Sequence, residues 1–202
     1  MHIELLVEEP SAEAALNELL PRILGKRASW AIHVHQGKGD LLANLGPRLR
    51  GYAKWLPEDW RIVVLVDRDA NDCLKLKKGL ENAARQAGLY TRSRPGRGGR
   101  VQVVNRIAVE ELEAWFFGDT DALRTAFPRV PRTLGQKARY RNPDEIRGGT
   151  WESLERELQH AGYFRGGLGK IEAARTIARH MEPERNCSPS FRHFRNALVD
   201  LV

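Results

Sequence analysis

The sequence has little cysteine. Cys73 and Cys187 lie far apart with no C-x-x-C, which excludes a zinc ribbon and a disulfide framework. No run of about 18 apolar residues occurs, so no membrane-spanning helix is expected. The first residues carry an acid at Glu4 where a signal peptide would be basic, and a soluble cytoplasmic protein with no membrane partner follows as the expectation. A Walker G-x-x-x-x-G-K-[ST] is also missing. The GGLGK of Gly166–Lys170 has neither its spacing nor its Ser/Thr, so any ATPase would be a separate protein. Lysine is scarce too: of 33 basic residues, 25 are arginine and 8 lysine. Arginine's planar fork pairs bidentately with phosphate or carboxylate, whereas lysine acts as a point charge.

With 202 residues, 42% apolar and 29% charged, the chain is an ordinary globular one, long enough to hide about 70% of its unfolded surface. The 33 bases against 26 acids leave +7, which fits a polyanionic partner or simply solubility.

Apolar runs and helical periodicities alternate about every 30 residues in the first half. HIELLV (His2–Val7) reads as a strand, followed by a helix capped by Ser11 and stopped at Gly25. Trp30–His35 reads as a second strand, with a helix capped by Asp40 running to about Trp55. RIVVLV (Arg61–Val66) is a strand covered on both faces, a helix spans about Asp72–Ala87, and Val101–Ile107 is a fourth strand. That order predicts an α/β fold: a mostly parallel, Rossmann-like four-stranded sheet flanked by helices. From Val109 onward only helices are expected, broken at Pro128, Pro131, Gly148-Gly149 and Gly166-Gly167. The division is a core over residues 1–117 and a helical extension over 118–202 packed on it.

In an open parallel sheet, ligands sit beyond the carboxyl ends of the strands. There the first strand delivers Glu8 and Glu9, the third Asp67 and Asp69, and the fourth Glu110, Glu111 and Glu113. Clustered hard oxygen donors suit Mg²⁺ or Mn²⁺. The period of two puts the carboxylates of D-x-D on one side, where they repel unless a cation or proton intervenes. An isolated D-x-D is more often a capping or surface feature, and EELEAW reads strongly as a helix start favouring acids. The argument for metal is the conjunction of an acid after strand one with D-x-D after strand three.

These residues carry a resemblance. LLVEEPSAE, a strand, then VLVDRD resembles the Toprim fold, the metal-dependent phosphoryl-transfer module of topoisomerases, primases and overcoming-lysogenization-defect nucleases. More closely, the chain resembles the Toprim-like family called domain of unknown function 4276, through VEEPS-x-E, VDRD at Val66–Asp69, ELEAWFF at Glu111–Phe117, GLGKIEAARTIA and SPSFRHF at Ser188–Phe194. The resemblance implies that Glu8 is the Toprim glutamate, Asp67 and Asp69 the metal-binding pair, and Glu113 a third acidic contributor ahead of Glu110. It implies Mg²⁺ or Mn²⁺ as cofactor and metal-assisted phosphodiester hydrolysis, with Lys170 neutralising developing charge. The usual opening is Val-Glu-Gly, and here Glu9 replaces the glycine. Trp115 reads as core. Nothing distinguishes Tyr140 or Tyr163 as a nucleophile, which favours hydrolysis over transesterification.

Arg92, Arg94, Arg97 and Arg100 in the Arg/Gly loop, and Arg132, Lys137, Arg139 and Arg141 before Pro143, are candidate nucleic-acid contacts or solvated loops. His33 and His35 share a strand face and read as satisfied core histidines, with no further ligands for zinc. The leading expectation is a Mg²⁺-dependent nuclease or nuclease-related effector, acting in phage or plasmid defence with a separate ATPase, as the resemblance implies. A nucleic acid and a second copy in a homodimer are the other expected partners. The alternative is a non-catalytic Toprim-shaped partner, favoured by Glu9, and a third is an enzyme using the same carboxylates on a small phosphorylated substrate.

Overall fold

The computed structural model describes residues 1–202. Four strands, β1 (His2–Val7), β2 (Ser29–Val34), β3 (Trp60–Asp67) and β4 (Val103–Ala108), form one all-parallel sheet in the order β2-β1-β3-β4. The crossovers run through α1 (Pro10–Leu24), α2 (Lys38–Ala53) and α3 (Cys73–Gln86). After β4 the chain has no further strand: α4 (Glu113–Phe117), α5 (Thr120–Ala126), α6 (Thr150–His160), α7 (Lys170–Ala178) and α8 (Pro189–Val199) follow, with short 3₁₀ turns between α5 and α6. No helix is long and apolar enough to cross a membrane.

The central strands are apolar on both faces because both faces are covered. Alternation sends Ile3, Leu5, Val7, Val63 and Leu65 into a core shared with α1 and the helices after β4. Leu6, Ile62, Val64 and Val66 go to the opposite core, built by α2 and α3. The 118–202 segment therefore buries its apolar faces in the same core as α1. Trp115 is fully buried there, donating from Nε1 to Ser190 Oγ at 3.0 Å and packing on Phe191 and Phe194, as its core reading expected.

Two helix starts differ from expectation, each for a local reason. α1 begins at Pro10, because proline's fixed φ suits the first helical position. Its cap is Glu9, and Ser11 donates to Glu9 Oε1 at 2.7 Å rather than capping. α2 begins at Lys38 after Gly37, whose φ of 89° favours glycine. Asp40 thus lies inside the first turn and its Oδ2 accepts from the Gln36 N–H at 3.0 Å.

Candidate functional site

Because all four strands run in one direction, their carboxyl ends form one edge. Glu8 and Glu9 leave β1 there, Asp67 ends β3, and the β4–α4 turn brings Glu110 to Glu113. The buried Glu8 is turned across the strand ends, its Oε1 accepting from the Asp67 N–H at 2.5 Å. Glu113, the first residue of α4, is 2% exposed, and its Oε2 has no hydrogen-bond partner. Native structures seldom leave a buried carboxylate oxygen unpaired.

The electrostatics follow from that crowding. Burial pushes the Glu8 carboxyl up to about 7; Asp69 and Glu9 push the same way, against the Asp67 N–H and Lys38. Burial also pushes Glu113 up to about 7, with Glu111 and Glu9 adding to it and Lys170 opposing. Asp67 retains some solvent contact, yet its carboxyl is crowded by protein. Burial, then Glu8, Glu113, Glu9 and Asp69, raise it well above the ordinary carboxyl range. Desolvation alone would lower Lys170, but Glu113, Glu9, Glu111 and Asp67 together hold its ammonium above its ordinary value. Lys170 opens α7, with Nζ 4.8 Å from the Trp151 ring centroid.

The structure therefore brings Glu8, Asp67, Glu113 and Lys170 into one electrostatic neighbourhood, and adds Glu9. At Glu9 the backbone is extended, with φ −145°. Glycine's freedom is not needed there, so the acid in the glycine position costs the fold no strain.

Asp69 departs from the expected pairing with Asp67. It is exposed, and Lys38 Nζ donates to its Oδ2 at 2.5 Å, to Arg68 O at 3.1 Å and to Asn71 Oδ1 at 3.0 Å. β3 has ended by then. Asp69 has φ 47° and Glu110 φ 60°, both left-handed, and the Asp69 N–H donates to Glu110 O at 2.7 Å. A non-glycine residue in that region costs on the order of 1 kcal/mol or more, and such backbone clusters at functional sites. Arg68 pairs with Glu110, which takes that acid out of the cluster.

No group of three or more His, Cys, Asp or Glu side chains is arranged to hold a metal ion. Asp69 is committed to Lys38, while Glu8 gives only Oε1 to the Asp67 N–H, so the expected convergence of Glu8, Asp67 and Asp69 on one cation is not the arrangement present. The chemistry of the donor set still suits a hard divalent cation. Glu8, Asp67 and Glu113 are three crowded carboxyls, each raised by burial, and one offers an unpartnered oxygen.

Sequence reasoning missed Lys38, and it placed Glu111 on this edge without its role. Glu111 Oε2 accepts from Thr150 N, Thr150 Oγ1 and Trp151 N at 2.9, 2.8 and 3.0 Å, capping α6 beside Lys170. Lys38 had a signal, since it stands between a strand end and a helix start on the ligand edge. Glu111 had only its position in EELEAW.

The basic segments lie elsewhere. The Arg92–Arg100 loop follows α3, which runs back against the strands, so it lies at the amino edge, opposite the carboxylates. Arg92 donates to Asp200 Oδ2 at 2.9 Å, and Arg94 and Arg97 are exposed. Lys137 is held by Glu157 and Arg139 by Arg147 O and Ser153 Oγ, while Arg141 is exposed. Tyr140 donates to Glu157 Oε1 at 2.8 Å, and Tyr163 Oη accepts from the Arg129 N–H. Both histidines are satisfied: His33 by Glu4, and His35, buried, by Val7 O at 3.0 Å.

A family model described as domain of unknown function (DUF4276) matches residues 7–199. No curated protein and no solved structure matches the chain.

Proposed function

This chain belongs to the DUF4276 family, and on that footing we propose that its carboxyl edge is a Mg²⁺- or Mn²⁺-dependent site for cleaving nucleic-acid phosphodiesters. The observation that carries the reading is the buried, unpartnered Glu113 Oε2, on a carboxyl whose charge acts on Asp67, with Lys170 as the adjacent cation. Glu8, Asp67 and Glu113 would hold the ion by turning their carboxylates onto it, since no three acids converge as they stand, and Asp69 would not. The chemistry such a cation supplies is Lewis-acid polarisation of a phosphoryl oxygen and activation of water. Lys170, kept protonated by its acidic neighbours, places a fixed positive charge where charge develops on the phosphate. Glu113, held at about 7 by burial in the metal-free chain, must give up its proton to bind the ion, so metal binding tightens as pH rises. Lys38 holds the β3–α3 turn in place and leaves the neighbouring edge to Asp67.

The resemblance to Toprim nucleases extends the proposal to a cytoplasmic effector in phage or plasmid defence, assisted by a separate ATPase and paired as a homodimer. A second reading is a Toprim-shaped partner that binds a nucleic acid or an ATPase without cutting. It is favoured by the engagement of Glu8 with the Asp67 N–H and of Asp69 with Lys38.

The test is to incubate the pure chain with plasmid, linear DNA and RNA in Mg²⁺ or Mn²⁺, beside Glu8→Gln and Asp67→Asn. Cleavage abolished by either substitution supports the site, and cleavage that survives both overturns it. Binding without cleavage by the wild type gives the second reading.

A further inference from the structure

At the opposite edge of the sheet the chain has an open cleft of about 660 Å³, walled by Arg61, Arg92 and Arg100 with bare backbone at Gly98-Gly99. Arg61 is the second residue of β3, and Arg100 stands just before β4. Arg92, on the loop between α3 and β4, is tied to Asp200 just beyond α8. Three guanidiniums thus meet in one cleft whose only lining carboxylate is Asp200. Glu58 lies 3.7 Å from Arg100, but its side chain is 92% exposed and screened by water.

Arg61 is the least compensated of the three. Its Nη1 donates to the carbonyls of Glu58 and Trp60 at 2.6 and 2.8 Å, and no carboxylate is bonded to it. Burial, and then the charge of Arg100, hold its guanidinium below its ordinary range, with Asp59 opposing. Gly98 and Gly99 have φ of 69° and 81°, values that a side chain would strain, and a Cβ on either would meet nothing within 4 Å. The wall they form is therefore main chain with open space in front of it.

We propose that this cleft binds the phosphate backbone of a nucleic-acid strand through Arg61, Arg92 and Arg100. Guanidinium forks match phosphate oxygens two by two, and exposed glycine backbone without side chains admits them closely. A single strand fits better than a free phosphate because the positive surface does not stop at the cleft. Arg94 and Arg97, both exposed, continue it along the same loop. These contacts hold a backbone without reading bases. The position also assigns a role. The six steps of β3 from Arg61 to Asp67 separate the cleft from the carboxylates by roughly 20 Å at the usual strand rise. Phosphates held here are anchored at a distance from the bond that the carboxyl edge would cleave. The proposal rests on a nucleic-acid ligand, as the functional reading does, but not on cleavage.

The experiment is fluorescence anisotropy with a labelled 20-nucleotide single strand over a series of salt concentrations. It compares wild type, Arg61→Gln/Arg100→Gln, Arg61→Lys/Arg100→Lys, Glu8→Gln, and Arg50→Gln/Arg179→Gln as a net-charge control outside the cleft. The glutamine pair is expected to weaken binding about tenfold or more and to lower the slope of log affinity against log salt by about 1–2. The lysine pair, which keeps the charge and loses the fork, should fall between; Glu8→Gln and the control should bind as wild type does. Equal binding by the glutamine pair, or equal weakening by the control, overturns the proposal. Competition by millimolar inorganic phosphate that displaces the strand completely would also overturn it, in favour of a small-anion site. Loss of cleavage in Glu8→Gln with binding intact would bear on the carboxyl edge alone.

Discussion

The main-chain N–H of Asp67 donates to Oε1 of Glu8 at 2.5 Å, so one carboxylate ties the ends of β1 and β3 together while belonging to the acidic edge. A buried carboxylate bound by one N–H but surrounded by others of its kind is stabilised by that bond and destabilised by the crowd. Burial weighs most, ahead of that bond and of the neighbouring acids, and pushes Glu8 up to about 7.

Stability should therefore depend on pH in a defined direction. Glu8 and Glu113 release their protons at about 7 in the folded chain, against an ordinary value of 4.5. Across that window the folded state binds more protons than the unfolded one, so stability falls as pH rises and levels off above it. Each group contributes up to ~3 kcal/mol to the fall. Calorimetry in EDTA should show Tm dropping between about pH 5 and about pH 8. Glu8→Gln/Glu113→Gln should make the drop smaller and leave the part that Asp67 contributes, and Mg²⁺ should restore Tm at the upper pH in wild type only. A wild-type Tm that rises across the window would contradict the site's electrostatics.

The two aspartates of D-x-D should behave differently. Asp67→Asn is expected to lower cleavage ~100-fold or more, the scale of losing a proton-transfer or ligand group. Asp69→Asn, which tolerates the left-handed backbone and keeps an oxygen for Lys38, should cost less than ~10-fold on the same reasoning. Single-turnover rates measured side by side check it, and equal losses would restore Asp69 as a ligand.

Glu111→Ala should destabilise the chain by ~1–2 kcal/mol, because three donors at the start of α6 lose their acceptor at once. Urea titration measures it. Faster hydrogen exchange at Thr150 and Trp151 should accompany the loss.

Gly118→Ala should be destabilising by ~1–3 kcal/mol. A Cβ there would stand 2.1 Å from Asn186 Oδ1, which is held between Ser188 N and its own amide's bond to Trp115 O. A Tm equal to wild type would show that the Asn186 segment yields more readily than its hydrogen bonds suggest.

How much of this was legible beforehand divides along a physical line. Strand identity was local: IVVLV is apolar at every position because it is covered on both faces, and that pattern needs no partner to be read. Once the strands were placed, parallel connection put Glu8, Asp67 and Glu113 at one edge, and the structure gathers those three. The opposite position of Arg92–Arg100 was also implied, since a crossover helix must run back against its strands, though residue types alone marked those arginines only as candidate phosphate contacts or a solvated loop. The partner choices needed tertiary structure. Lys38 and Asp69 are 31 residues apart, and Glu111 and Thr150 are 39 apart. Which carboxylate finds an ammonium, an N–H or nothing depends on loop directions and backbone φ values that residue spacing does not carry. The sequence by itself determined the sheet and the edge on which its acids fall. Only the tertiary structure decided that Asp69 is neutralised by Lys38, that Glu113 is buried with an unpaired oxygen, and that three arginines face one cleft at the far edge. Burial and long-range pairing set those outcomes, and both exist only once the chain is folded.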